Sequence, residues 1–152
     1  MILHCCQSLD KIIVTKKYLL NVDIISKIFP IAIRTFEKTD SPQVLWPMVN
    51  LISNMITLCE FDSDIILNSL QGNSLSILIS SPSTLLIEAL SEMFKNILCV
   101  IPRHKQAQTV YRLVCCFLNN HLGKLSSVNS EKVLNLWYIV VREYSPMQNC
   151  NE

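Results

Sequence analysis

A proline stands between two long apolar stripes, and this arrangement limits the fold more than any other feature of the chain. Across residues 81–125, Ser81-Pro82 forms a helix-start signature. Leu85, Leu86, Ala89, Leu90, Met93, Phe94, Ile97 and Leu98 then recur at steps of three and four, up to Ile101 and Pro102. A second helix is expected from near His104 to Leu122, with Val110, Leu113, Val114, Phe117, Leu118 and Leu122 on one face and Gly123 just past its end. Steps of three and four place side chains on one side of a 3.6-residue helix. Proline cannot continue a helix interior, and glycine is the common stop. The stretch therefore predicts an antiparallel helical hairpin, which cannot bury both of its own stripes and must lie against neighbours.

The rest of the chain repeats this theme. Residues 2–20 carry Leu9, Ile12 and Ile13 on one helical face, although Ile12-Ile13-Val14-Thr15 is β-branched and also fits an extended strand. Asn21 or Val22-Asp23 starts a second segment with Ile24, Ile25, Ile28, Phe29, Ile31, Ile33 and Phe36, in which Pro30 predicts a kink or a break. Ser41-Pro42 combines a capping hydroxyl with proline at the first helical position. The stripe that follows runs from Leu45 to Cys59, and Pro47 either kinks it or marks its true start. Asp62-Ser63-Asp64 caps a shorter helix ending at Gln71-Gly72, and Asn73-Ser74 restarts one or two turns. Ser130 is expected to cap a last helix that is apolar nearly all round, with Glu131 in its first turn. A polar tail is expected at 147–152, leaving 1–146 as a single helical unit.

Glycine content supports the same class. The chain has only 2 glycines in 152 residues, too few for the turns of a β-rich domain. The fold class is therefore all-α, a stack of antiparallel hairpins of about seven to eight helices. Shifting the chain by 40 residues lays Ser41-Pro42 on Ser81-Pro82, Leu45 on Leu85 and Leu58-Cys59 on Leu98-Cys99. A repeat of about 40–47 residues is the spacing of helical-hairpin solenoids.

On this pattern the chain resembles the HEAT/armadillo α-solenoids over most of its length, which implies a right-handed superhelix and a scaffolding role. A fainter resemblance is to the Rap-interacting-factor solenoids of telomeres and replication timing. It is carried by Pro47-Met48-Val49-Asn50 through Ile56, by Val110-Tyr111 with Asn119-Asn120-His121-Leu122, and by Leu136-Trp137. That resemblance implies chromatin or nucleic-acid association, in a piece far shorter than such proteins. No functional residue is carried over from it.

Charge and cysteine usage bound the function. Half of the residues are hydrophobic, 16% are charged, and mean hydropathy is +0.34, so either the core is unusually large or apolar surface is kept for a partner. A net charge of +1 gives no overall field for nucleic acid. Lys95, Arg103, Lys105 and Arg112 nevertheless gather around one hairpin as a candidate basic patch for phosphate, an acidic peptide or nucleic acid. Seven cysteines without a C-x-x-C spacing, and no secretory signal at the first residues, predict reduced thiols in the cytoplasm or nucleus. No apolar run reaches the roughly 18 residues of a membrane span.

Chemistry-bearing patterns are absent. His4-Cys5-Cys6 and Cys115-Cys116 with His121 lack the paired ligand spacing of a zinc site and read as core filling. No phosphate-binding glycine loop occurs, and the residues around the 3 histidines carry no nucleophile signature. The sequence thus predicts a protein without catalytic residues, cofactor, metal or small-molecule substrate. Its best candidate contact is a protein partner at Trp137, Tyr138 and Val141 on the last helix, an aromatic stripe of the kind that anchors interfaces.

Overall fold

A computed structural model of the chain describes residues 1–15, 21–60, 62–71, 75–80, 83–106, 109–124 and 130–144. The described residues are helical, without strands. Seven helices have at least eight residues: α1 (Ile2–Thr15), α2 (Val22–Thr35), α3 (Pro42–Leu58), α4 (Ser63–Leu70), α6 (Thr84–Val100), α8 (Val110–His121) and α9 (Ser130–Tyr144). Two shorter ones, α5 (Ser76–Ser80) and α7 (Arg103–Gln106), lie between them. No helix is long and apolar enough to cross a membrane among the described residues.

The caps follow sequence chemistry where it is strongest. Asn21 accepts a hydrogen bond from the Asp23 amide at 2.9 Å, and Asp62 accepts one from Asp64 at 2.9 Å, each satisfying an orphan donor of a first turn. Ser41 is the N-cap of α3 and Pro42 its first residue, though the serine side chain makes no capping bond. Ser81-Pro82 lies outside the described residues; α6 is preceded by Ser83 as its N-cap and ends at Val100, before Ile101 and Pro102.

Both internal prolines are absorbed without ending their helices. α2 runs unbroken through Pro30, and α3 runs from Pro42 through Pro47. Each proline removes one amide donor, leaving the carbonyls of Ser26 and Gln43 without their helical partners. Gln43 is exposed and Ser26 half-buried, so water can reach what the helix cannot satisfy.

Packing falls into two series. α3 makes its most extensive contacts with α6 and α1, and α6 continues to α9. In the second series α2 packs on α4 and α5 on α8. Cross-contacts α2–α3, α5–α6, α6–α8 and α8–α9 join the two. Buried side chains from both series form one apolar cluster, including Phe29, Phe36, Phe94 and Phe117. Phe94 and Phe117 meet with ring centroids 5.4 Å apart, linking α6 to α8.

Four of the polar bonds between helices share a similar spacing, whereas that from Thr35 of α2 to Met48 of α3 spans 13 residues. Asn54 donates to Asp10 at 2.6 Å across 44 residues, and Asn96 donates to Ser53 at 2.8 Å across 43. Lys105 donates to Asp64 at 2.8 Å across 41 residues. Nε2 of His121 lies 2.6 Å from the Ile79 carbonyl across 42; a carbonyl only accepts, so Nε2 carries the proton.

Several expectations need correction. The helix expected from His104 starts at Val110, and Arg103–Gln106 is a separate single turn. Residues 2–15 are helical rather than extended, and Ser130 lies inside α9 rather than before it. The stripe periodicity overstated some buried faces: Ile12, Ile24, Ile31 and Leu85 are exposed. Asn96, which falls outside the apolar stripe of α6, is half-buried and bonded across to α3. The expected tail at 147–152 lies outside the described residues.

Truncating Phe94 to Ala should cost about 3–5 kcal/mol, the range for a fully buried aromatic whose site cannot collapse. Asn96→Ala should cost about 1–3 kcal/mol by stripping Ser53, itself buried, of its partner. Urea unfolding should show both as lower midpoints with an unchanged slope.

Candidate interaction face

α9 carries two apolar stripes, of which the fold uses one. Glu131 in its first turn and Arg142 in its last both suit the helix dipole. Val133, Leu136 and Val140 are buried on the side facing α6 and α8. Leu134, Trp137, Tyr138 and Val141 form a second stripe at steps of three, one and three, displaced roughly 100° around the helix. These four are 46%, 44%, 59% and 43% exposed. The candidate residues Trp137, Tyr138 and Val141 thus lie together on one exposed face, and Leu134, which sequence reasoning left out, extends it. Its signal was there: Leu134 sits one turn before Tyr138 and two before Val141.

The basic hairpin is less free than its sequence suggests. Lys105 is engaged by Asp64, and that hydrogen bond, the largest influence on it, holds its amine above the usual lysine range. Lys95 lies 3.6 Å from Glu92 on the same helix. Arg112 is exposed on α8, and the side chain of Arg103 lies outside the described ones. Two of the four cations are thus already beside carboxylates, which lowers the local field available to a phosphate.

Two grooves lie away from α9. One of about 530 Å³ lies between α2 and α4, lined by Ser26, Pro30, Arg34, Asn68 and Gln71 among others. Another, of about 560 Å³, lies where the ends of α3 and α6 approach, beside Cys59, Asp62 and Val100. Among the described residues, no group of three or more His, Cys, Asp and Glu is placed to hold a metal ion. His121 is buried against Phe117 with ring centroids 4.9 Å apart.

The cysteines differ by environment. Among the described residues six are free thiols, of which Cys5, Cys99 and Cys116 are exposed and Cys6 is buried. Burial first, then the neighbouring Cys5 and Asp10, push the Cys6 thiol up. A hydrogen bond with Cys115 raises the Tyr111 phenol above its ordinary range.

No known family, no curated protein and no solved structure matches this chain.

Iodoacetamide at neutral pH should modify Cys5, Cys99 and Cys116 rapidly and Cys6 only at the rate of opening, because thiolate and access are both required. Peptide mapping over time reads this out; equal rates for Cys5 and Cys6 would contradict the placement of α1 against α3.

Proposed function

We propose that this chain is a non-catalytic helical-repeat scaffold of the HEAT/armadillo kind, working inside the cell as part of a larger assembly and binding protein through α9. The observation that carries the docking reading is the exposed stripe Leu134, Trp137, Tyr138 and Val141 beside a stripe already buried. Tryptophan and tyrosine on a helix face, with charge only at the rim, is the composition of binding hot spots.

Repeat spacing supports the scaffold reading. Helices α1, α3, α6 and α9 begin at residues 2, 42, 84 and 130, and each packs on the next. α3 and α6 have the same length, 17 residues, and start 42 apart, a better register than the 40 read from the serine-proline pairs. Four polar bonds between helices, Asp10–Asn54, Ser53–Asn96, Asp64–Lys105 and Ile79–His121, span 41–44 residues, about one repeat each. Stacking of successive hairpins is what such a spacing requires. The free thiols suit a reducing cytoplasm or nucleus.

The charge pattern favours a protein partner over a nucleic acid, since Lys95 and Lys105 stand beside Glu92 and Asp64. A photo-crosslinking residue in place of Val141 should capture a protein, and the same residue at Lys132, across the helix, should not. Salt-sensitive nucleic-acid binding that vanishes on charge reversal of Arg103 and Arg112, with no crosslink from position 141, would replace this reading with a chromatin-associated one.

A further inference from the structure

The exposed stripe of α9 is matched to itself when one helix is reversed. We propose that it pairs with the same stripe of a second copy of this chain, with the two α9 helices antiparallel about a two-fold axis between Trp137 and Tyr138. This pairing rests on the protein-docking reading of α9 and names the partner.

Three observations support it. First, reversal about that midpoint sets Leu134 against the partner's Val141 and, because each edge of the stripe stays on its own side, brings Trp137 to the partner's Trp137 and Tyr138 to the partner's Tyr138. Aliphatic side chains then meet at both ends and aromatic ones at the centre, where interface energy concentrates. Second, the charges agree. At about 100° per residue, Glu131 and Arg142 fall on the same edge of the stripe, next to Tyr138, one at each end of the helix. A two-fold axis across the pair keeps that edge on one side and exchanges the ends. Each Glu131 therefore lies within a turn of the partner's Arg142, whereas a parallel pair would set like against like. Third, the contact continues an existing series. α3 and α6 each pack on helices at both sides, α1 and α6 for one, α3 and α9 for the other. Accordingly each buries side chains around much of its circumference, while α9 buries one stripe and keeps the second exposed. A second α9, 15 residues long with an apolar stripe, is a helix of length similar to those the series already packs.

Sedimentation velocity of the full chain from about 1 to about 200 µM is the test. A concentration-dependent dimer is expected. Trp137→Asp and Val141→Asp should each give a monomer throughout with the helical circular-dichroism signal retained. Glu131→Arg and Arg142→Glu should each weaken association roughly tenfold, and mixing the two variants should restore it, because each then supplies the charge the other needs. These rim substitutions on exposed residues keep the test available if an aspartate variant fails to fold. A chain that stays monomeric throughout overturns the pairing. Capture of a different protein by the crosslinker at position 141 would then leave the docking reading standing without it. A dimer indifferent to Trp137→Asp, or rim variants that do not rescue each other, would also overturn it.

Discussion

The contact between α3 and α6 is the constraint on which the rest depends. Among the described residues it is the most extensive contact between helices, and it joins two of equal length that bury side chains on more than one face. Apolar stripes alone would tolerate sliding, since burial is non-directional. The Ser53–Asn96 bond does not: a slip of one turn, about 5.4 Å, would leave a buried hydroxyl without its partner. Asp10–Asn54 plays the same part between α1 and α3, so neighbouring residues of one helix fix its register on both sides.

The second series is pinned by different chemistry at similar spacing. His121 reaches back to the Ile79 carbonyl from within the core, and Lys105 reaches Asp64 at the surface. The two bonds differ in weight. A buried donor left unpaired is expensive, whereas an exposed ion pair is screened and adds little. α8 is therefore held chiefly by Phe117, Val114 and His121 against α5 and α6. In the basic hairpin, Lys105 and Lys95 stand beside the carboxylates of Asp64 and Glu92.

Helix starts were legible in the sequence where a local side chain satisfies a local amide, as at Asn21 and Asp62, and where proline takes the first helical position, as at Ser41-Pro42. Stripe periodicity correctly gave the all-helical class, but it marks the centre of a buried face and not its width. Ile12, Ile24, Ile31 and Leu85 sit at stripe positions and face water because no neighbouring helix covers that edge. Of the outcomes the prolines allowed, neither a break at Pro30 nor a late start at Pro47 occurs, because each costs one hydrogen bond in a helix already held by tertiary packing. The polar pairs were not legible at all, since Asn96 and Ser53 acquire meaning only when helices 43 residues apart are laid together. The candidate face on α9 was readable as doubly apolar; which stripe the core takes needed the position of α6.

If successive helices shield one another side by side around α3 and α6, protection should decline from that pair outward. Residue-resolved native-state hydrogen exchange measures this directly. Amides of Leu51–Met55 and Leu90–Phe94 should exchange only through global unfolding, with those of α1 and α9 opening earlier and at lower free energy. Strongest protection in α1 or α9, with fast exchange in α3 and α6, would contradict the account.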